Sequence, residues 1–350
     1  MESLFNASIA TMEVFAVHIG DRLGYYQALA DAGPLTSTDL ATRTGTNERY
    51  TREWLEQQAT AGVLDATDDA DALKRTFHLP PDCVEVLTDR DSLNYMTPLI
   101  RLTVGITEPL DQLLAAFRTG GGVPYPDYGI DTREGIADMN RVMFINQLAS
   151  EWMVALPDIV DRLNDPARPA RVADIGCGTG WSSIALAEGF PLAQVDGYDL
   201  DEASIALARE NAEAAGLANR VTFHLRDAAD VDLAGQYDLA CAFECIHDMS
   251  DPVRVLVTMR KLVGAGGTVL IADERVADQF TPNGDQIERI MYGFSILHCL
   301  PVGMVESPSA GTGTVIRSGI MRTYVEAAGY QAFEILPVEN MFWRFYRLTA

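Results

Sequence analysis

A glycine-rich segment carries the clearest chemical signal in the chain. It reads Asp174-Ile175-Gly176-Cys177-Gly178-Thr179-Gly180 and continues from the apolar run Arg171–Ile175. Glycine has no Cβ atom, so the backbone of such a segment can approach a ligand closely. In doubly wound sheets, ligands bind at the carboxyl ends of the strands. The segment therefore predicts a ligand-binding loop. Its candidate binding residues are Asp174, Gly176, Gly178 and Gly180.

Two carboxylates follow the next two apolar runs. Asp199 comes after the run Gln194–Tyr198, 19 residues beyond Gly180, where it can accept hydrogen bonds from both hydroxyls of a ribose. Asp227 comes after Val221–Leu225, where a carboxylate and a backbone amide can bind the edge of an adenine. The alternatives are that Asp199 caps a helix and that Asp227 only forms a turn. Further candidates for the same ligand are Leu200, Ala228 and Phe243.

The spacing of the glycines narrows the kind of ligand. The dinucleotide fingerprint is Gly-x-Gly-x-x-Gly, and here the last gap is one residue shorter. Together with the two carboxylates, this predicts an adenosine that has neither a pyrophosphate nor a 2′-phosphate. A dehydrogenase that binds NAD is the alternative.

Short apolar runs alternate with helical stretches from residue 171 onward. This alternation indicates βαβ units on a parallel, doubly wound sheet of the α/β class. The predicted strands are Arg171–Ile175, Gln194–Tyr198, Val221–Leu225, Tyr237–Phe243 and Gly267–Asp273, with helices at Ser182–Gly189, Glu202–Ala215 and Pro252–Leu262. Two last runs, Phe333–Pro337 and Trp343–Leu348, predict a terminal hairpin and bring the sheet to seven strands.

The N-terminal part predicts a different fold. Amphipathic helices over residues 3–32 precede a short helix that starts at Thr36 and a second that runs from its cap Asn47 to Gly62. Two short strands then complete an N-terminal α-helical winged-helix domain. Those strands are Val63–Leu64 and Thr76–Leu79.

The recognition helix of this winged helix is acidic, whereas a helix that binds DNA needs cations to contact phosphates. Subunit pairing in a homodimer is the preferred role, because the long N-terminal helix has an apolar face that needs a partner. The residues from Asn47 to Ala61 hold Arg49 and Arg52 against Glu48, Glu53 and Glu56.

The whole chain of 350 residues is acidic as well, with a net charge of −24 and a pI of about 4.4. Such a surface repels nucleic acid and anionic lipid, so neither is an expected partner. The N-terminus resembles neither a signal peptide nor a membrane span. The odd number of cysteines and the lack of Cys-x-x-Cys argue against disulfides and structural zinc, and favour a cytoplasmic location. The cysteines are Cys83, Cys177, Cys241, Cys245 and Cys299.

Residues 170–350 resemble a class I S-adenosylmethionine-dependent methyltransferase. The resemblance rests on the loop from Asp174 to Gly180, on Asp199, on Asp227-Ala228, on the run Tyr237-Asp238-Leu239 and on the terminal hairpin. It implies a Rossmann-like methyltransferase sheet and S-adenosylmethionine as the cofactor. In that family the glycine loop surrounds the methionine portion, the residue at Asp199 holds the ribose, and those at Asp227 and Ala228 hold the adenine.

A second resemblance covers more of the chain. A winged-helix domain before this catalytic fold is the layout of small-molecule O-methyltransferases, which dimerise through that domain. The run from Cys245 to Asp251 is similar to their motif His-Asp-Trp-Ser-Asp, with Met249 in place of the tryptophan. The resemblance implies that His247 is the general base. Glu244 is the other candidate for this role, and a helix cap or a substrate contact is the alternative for His247. The candidate carboxylate partners of His247 are Glu244, Glu274 and Glu306.

A third resemblance is to a bacterial group with the same layout, which carries stretches like Tyr292–Pro301. The long connection over residues 275–325 predicts a lid over an enclosed, apolar acceptor pocket. Ordinary core is the alternative for each wall residue, and a structural histidine is the preferred reading of His298-Cys299 over a catalytic or metal pair. We expect no metal site. The predicted wall residues are Phe144, Met291, Phe294 and His298.

These observations predict three parts and one activity. Residues 1–92 are the winged-helix and dimerisation domain, residues 93–165 a helical linker that covers the active site, and residues 166–350 the S-adenosylmethionine-binding domain. The predicted activity is methyl transfer to a small, mostly apolar acceptor, at a hydroxyl in preference to a carbon or nitrogen. The alternative is a winged-helix transcriptional regulator that uses the methyltransferase fold as a ligand sensor.

Overall fold

The computed structural model describes residues 1–230 and 236–350. The helices are α1 (Glu2–Arg22), α2 (Tyr25–Ala32), α3 (Ser37–Thr44), α4 (Glu48–Thr60), α5 (Pro81–Thr88), α6 (Thr97–Gly105), α7 (Leu110–Thr119), α8 (Gly129–Met143), α9 (Pro157–Leu163), α10 (Trp181–Gly189), α11 (Glu202–Ala214), α12 (Pro252–Val263), α13 (Gln286–Phe294), α14 (Leu300–Gly303) and α15 (Ser318–Ala327). The strands are β1 (Leu35–Thr36), β2 (Asp65–Ala66), β3 (Thr76–His78), β4 (Arg171–Ile175), β5 (Gln194–Asp199), β6 (Val221–Leu225), β7 (Leu239–Phe243), β8 (Thr268–Glu274), β9 (Ala332–Ile335) and β10 (Trp343–Thr349).

The chain divides into two compact units, each built from two stretches of sequence. The first unit comprises residues 1–108 and 129–142, and the second comprises residues 109–128 and 143–350. No described helix is both long and apolar enough to cross a membrane.

The first unit contains the predicted winged helix. The Thr36 hydroxyl accepts the Asp39 N–H at the start of α3, and the Asn47 side chain accepts the Arg49 N–H at the start of α4, at 3.2 and 3.0 Å. Both caps were expected from the sequence. The wing differs in detail, because its first strand is β2 rather than Val63–Leu64 and because β1 pairs with β3 to make the order β1-β3-β2.

The second unit contains a seven-stranded sheet in the order β6-β5-β4-β7-β8-β10-β9. The first five of these strands are parallel, and β10 runs antiparallel to both β8 and β9. The strand order reverses at β4, which pairs with β5 on one side and β7 on the other. This reversal opens a crevice at the carboxyl end of β4, directly before the glycine loop. The predicted α/β fold class is confirmed, and every predicted strand end in this sheet falls within two residues of the observed one.

Apolar side chains cover both faces of this sheet, which explains why its strands read as continuous apolar runs. Val172 of β4 packs in one core cluster, and its neighbour Ala173 packs in the other. Because successive side chains point to opposite faces, the two layers hold the strand ends of the crevice from both sides.

The helical region before β4 is not one continuous helix. Helical backbone starts at Gly129, becomes a π-helix over Phe144–Trp152, and is interrupted at Leu156. Pro157 then opens α9, since a proline lacks the N–H of a helix interior and is suited to a first turn. A second π-helical segment, Ser295–Cys299, follows α13. π-Helical turns are rare and occur often at functional sites.

Candidate functional site

The glycine loop after β4 holds three left-handed backbone positions. The φ angles of Gly176, Gly178 and Gly180 are 67°, 50° and 85°. A Cβ atom on Gly176 would lie 2.7 Å from the sulfur of Cys245, and one on Gly180 would lie 2.5 Å from Phe223. Around Gly178, by contrast, no atom of the described residues other than its two chain neighbours lies within 4 Å of such a Cβ. Gly176 and Gly180 are therefore needed for packing, whereas Gly178 leaves space for a ligand against the loop.

Asp199 braces this loop from the end of β5. Its Oδ2 accepts the Gly178 N–H at 2.8 Å, and its Oδ1 accepts the Asp201 N–H at 2.8 Å. Burial raises the pKa of Asp199, and these backbone N–H groups oppose the rise. Helix α11 is capped by Asp201, whose side chain accepts the Ser204 N–H, so Asp199 is not the cap. Each Asp199 oxygen keeps a lone pair for a further donor, such as a ribose hydroxyl.

Asp174 at the foot of the loop is almost fully buried. Its Oδ2 accepts the hydroxyls of Ser182 and Ser183, each at 2.6 Å, while Oδ1 has no hydrogen-bond partner among the described residues. Burial raises the pKa of this carboxyl to about 6. A buried oxygen without a partner is costly, so an amino group placed beside it would be bound favourably.

The ends of β5 and β6 lie next to each other, since the Arg226 N–H donates to the Asp199 carbonyl at 2.9 Å. Asp227 follows, and its side chain accepts the Ala229 N–H at 2.8 Å, so it does form the turn given as its alternative role. Leu200 is 68% exposed at the mouth of the crevice, and Ala228 is half-buried. Open apolar surface beside Asp199 and Asp227 suits the flat face of an adenine.

His247 lies in a short 3-10 turn just after β7. Its Nδ1 atom is 2.7 Å from Oδ1 of Asp273 on β8, and both side chains are buried. Burial by itself lowers the pKa of His247, but the Asp273 carboxylate and the Cys299 thiolate outweigh it, so the pKa lies well above its ordinary value. This hydrogen-bond partner was not among the candidate glutamates; β8 lies directly beside β7 and so brings Asp273 to His247. Of the candidates, Glu274 also interacts electrostatically with His247.

Cys299 completes this group from the second π-helical segment. Its sulfur lies 3.4 Å from Nδ1 of His298 and also interacts with the side chain of His247. Burial alone raises the pKa of this thiol, but the two imidazoles outweigh burial and lower it to about 5. The two imidazoles thus favour the thiolate form of Cys299.

Carboxyl groups surround the same group of residues. Burial, together with the neighbouring Glu244, raises the pKa of Glu274 well above its ordinary value, and burial raises that of Asp248 to about 7. Glu244 has a left-handed backbone with φ of 55°, which is uncommon for a residue that is not glycine. Glu306, the third candidate partner of His247, is exposed. Among the described residues, no group of three or more His, Cys, Asp or Glu side chains is arranged to hold a metal ion.

Comparison with known proteins agrees with this geometry. Residues 168–307 match the family model of a methyltransferase domain, and residues 10–89 match the model of an Rv2258c-like winged HTH domain. Residues 168–307 are a methyltransferase domain. The glycine loop, Asp199 and His247 all lie within it.

Two curated relatives and two solved structures illustrate the likeness. The ubiquinone biosynthesis O-methyltransferase of Bordetella avium is 33% identical over 132 residues, which are 37% of this chain and 49% of the relative. Ajmaline N-methyltransferase of Rauvolfia serpentina is 28% identical over 110 residues, 31% of this chain and 38% of the relative. The chain thus covers less than half the length of each of these relatives.

The solved structures match nearly the whole chain. Mitomycin 7-O-methyltransferase MmcR superposes with a TM-score of 0.74 at 20% identity, over 99% of this chain and 97% of that one. Human N-acetylserotonin methyltransferase, in complex with SAM, superposes with a TM-score of 0.67 at 16% identity, over 99% and 96% of the two chains. At these identities the likeness establishes the fold.

The predicted wall residues of the acceptor pocket have mixed surroundings in the second unit. Phe144 and Phe243 are buried against each other, with ring centroids 5.4 Å apart, in an aromatic cluster with Trp152 and Trp343. Met291 is buried and Phe294 is half-buried. The His298 ring packs edge-on against Tyr128 at 4.6 Å and Tyr125 at 5.7 Å. Their role as a pocket wall stays a prediction. A cavity of about 450 Å³ in the same connection is lined by Phe280, Pro282, Asn283, Glu288, Arg289 and Tyr292.

Two residues of this group were not expected from the sequence: Asp273, the partner of His247, and Cys299, which interacts with His247 and His298. The rule that placed Asp199 applies to Asp273 as well, because it stands near the carboxyl end of an apolar run. Cys299 had no comparable signal, since its place depends on how the connection after β8 folds back.

Proposed function

We propose that this protein transfers the methyl group of S-adenosylmethionine to a small, mostly apolar molecule, at a hydroxyl group. The observation that carries the proposal is the glycine loop itself: it has open space at Gly178, a hydrogen bond from Gly178 to Asp199, which has lone pairs to spare, and a buried Asp174 with an unpartnered oxygen. A ribose and an amino group match these two acceptors, and S-adenosylmethionine contains both. Asp227, Ala228 and Leu200 would border its adenine.

The cofactor supplies an electrophilic methyl group on a sulfonium, so the protein needs chiefly to position the acceptor. Holding the acceptor in line with the methyl group and excluding water can supply several kcal/mol of the barrier. A hydroxyl acceptor must also lose its proton during attack. His247 and Glu244 stand at the carboxyl end of β7, and a base at this place contributes about 10²–10⁴-fold. The connection over residues 275–325 would cover the acceptor.

The first unit supports pairing of subunits rather than DNA binding. Arg49 forms an ion pair with Glu53, and Arg52 with Glu48, so the cations of α4 are already neutralised within the helix. Helix α1, in contrast, exposes a row of large apolar side chains. We infer that α1 mediates a homodimer, with no nucleic-acid or membrane partner. The exposed side chains are Leu4, Phe5, Ile9, Met12, Phe15 and Ile19. All five cysteines are free thiols, which is in keeping with a cytoplasmic protein.

Two experiments test this function. Calorimetry compares S-adenosylhomocysteine with NAD, and preference for NAD would refute the proposal. A metabolite extract incubated with the protein and a donor labelled in the methyl group then identifies the acceptor, since only the acceptor gains label. A protein that binds S-adenosylhomocysteine but labels no compound from any extract would contradict the enzyme and favour a sensor. Asp199→Ala removes the hydrogen bond between the Asp199 carboxylate and the Gly178 N–H, and it serves as the binding-deficient control.

A further inference from the structure

The thiol of Cys299 is part of a chain of contacts that the sequence resemblance does not contain. Asp273 holds Nδ1 of His247 at 2.7 Å, His247 interacts with the sulfur of Cys299, and Nδ1 of His298 lies 3.4 Å from the same sulfur. All four side chains are buried. A cysteine beside a histidine that a carboxylate orients is the arrangement that activates thiols in proteins.

The other buried cysteines show that burial alone does not produce this state. Burial raises the pKa of Cys241 and of Cys245 well above the ordinary thiol value. Cys299 is buried too, but it faces two imidazoles, and these reverse the effect of burial. The titratable side chains that act on the charge of Cys299 are His247 and Asp248 after β7, Glu274 on β8, His298 on the same segment, and Tyr128.

Three polar atoms in this cluster lack partners within the described residues. They are Oδ2 of Asp273, Oε2 of Glu274 and Nε2 of His298. All three side chains are at least nine-tenths buried. Buried polar atoms are almost always hydrogen-bonded, so this cluster has unused capacity for a polar group of a bound molecule.

We propose that the Cys299 thiolate, held by His247 as an imidazolium that Asp273 orients, is the group that receives the proton of the acceptor hydroxyl. This inference rests on the proposed function. As the acceptor oxygen forms its bond to the methyl carbon, the bond between that carbon and the sulfonium breaks and its electron pair stays on the cofactor sulfur. The hydroxyl proton passes to Sγ of Cys299. His247 then acts as a positioning residue, and its positive charge keeps the thiolate ionised between turnovers.

The first test needs no acceptor. The far-ultraviolet absorbance of the thiolate is titrated in the full-length wild type and in Cys299→Ser, and the difference between the two curves belongs to Cys299. We expect a step near pH 5, and a step near the ordinary thiol pKa would overturn the proposal. His247→Gln should move the step upward, because it removes the imidazolium. Cys241→Ser is the matched control and should leave the step in place.

The second test uses the direction in which the acid limb of the activity profile moves. If Cys299 receives the proton, the wild-type limb lies near pH 5, and Cys299→Ser moves it upward toward the raised pKa of His247 and lowers kcat by about 10²-fold. If His247 is itself the base, the same substitution moves the limb downward, because it removes a negative neighbour that raises the pKa of His247. A downward shift, or none, overturns the proposal.

The two proposals can fail independently of each other. If the wild-type protein does not bind S-adenosylhomocysteine in calorimetry, the proposed function is refuted, whatever the thiol titration shows. If the wild-type protein binds S-adenosylhomocysteine and turns over its acceptor, but Cys299 titrates near the ordinary thiol pKa, only the role of Cys299 is refuted. Cys299→Ala tests the fold of this segment, since it should bind S-adenosylhomocysteine as tightly as the wild type and show no thiolate step.

Discussion

Nδ1 of His247 lies 2.7 Å from Oδ1 of Asp273, and this contact joins the carboxyl ends of two neighbouring parallel strands. The two residues are 26 positions apart in the chain. The carboxylate orients the ring through Nδ1 and raises the pKa of the imidazole against the effect of burial. The charge state of the whole cluster at the end of β7 therefore depends on a residue of β8.

Asp273→Asn should reveal this dependence as a change in the free energy of unfolding. The folded-state pKa of His247 is raised above its unfolded value, so the stabilisation is fully present below about pH 6.5 and is lost as pH rises through the folded-state pKa. We expect the variant to lose about 1.5–3 kcal/mol of unfolding free energy near pH 6 and less near pH 9, measured by denaturant titration. His224→Gln, which breaks a partly exposed pair with Asp196, is the control and should cost less than about 1 kcal/mol. An equal loss at both pH values would contradict the charged pair.

Asp199→Ala should weaken binding of S-adenosylhomocysteine by about 10–100-fold, because charge-assisted hydrogen bonds worth roughly 1.5–3 kcal/mol disappear. The substitution also releases the Gly178 N–H, so part of the loss comes from a looser loop. Calorimetry measures the effect. Asp165→Ala, in the turn before β4, removes a comparable aspartate-backbone bond and should leave affinity unchanged. Wild-type affinity in Asp199→Ala would show that the ribose lies elsewhere.

Gly178→Ala should distinguish the effect of filling the ligand space on binding from the effect of backbone strain on stability. Apart from its chain neighbours, its added methyl group meets no atom of the described residues within 4 Å, so the cost to folding comes from the left-handed φ, about 1–2 kcal/mol. We expect this modest loss of stability together with at least tenfold weaker binding of S-adenosylhomocysteine. Gly24→Ala is a matched control, since Gly24 also has a positive φ and no neighbour within 4 Å. It should show a similar thermal shift and unchanged binding. Equal binding by the two variants would mean that the ligand does not approach Gly178.

Asp174→Asn should stabilise the protein and impair binding at the same time. The folded-state pKa of this carboxyl is raised to about 6, above its ordinary value of 3.8, so stability falls as pH rises between these values and the buried charge is fully present above them. The variant should therefore melt at a higher temperature than the wild type near pH 8, with a smaller gain near pH 5.5. Its affinity for S-adenosylhomocysteine should fall at both pH values, because the amide carries no charge for an amino group. An unchanged melting temperature near pH 8 would argue against a buried charge.

Phe5→Glu combined with Met12→Glu should convert the protein to monomers if α1 mediates the dimer. Both side chains are mostly exposed in the single chain, so the substitutions cost little within the subunit but place charges in an apolar interface. Light scattering coupled to size-exclusion chromatography measures the mass. Tyr50→Glu changes an equally exposed aromatic residue on α4 and should leave the mass unchanged. A wild-type monomer, or a dimer that survives the double substitution, would contradict the interface.

The sequence by itself determined most of the local structure and the cofactor side of the site. Strands buried on both faces appear as continuous apolar runs, and helices α3 and α4 of the first unit begin at the polar caps Thr36 and Asn47. Parallel strands also end at a common edge of the sheet. The residue just after each run, as with Gly176 and Asp199, is therefore placed by a rule that needs no tertiary information.

Only the tertiary structure decided the other side of the site. His247, Asp273 and Cys299 come from three different elements, and no spacing in the sequence states that they meet. Their contact follows from β8 lying beside β7 and from the π-helical segment that ends in Cys299. A pKa depends on which charges lie within a few ångströms. The pKa values at this site therefore depend on the tertiary structure, whereas the spacing of the glycines was enough to predict the cofactor loop.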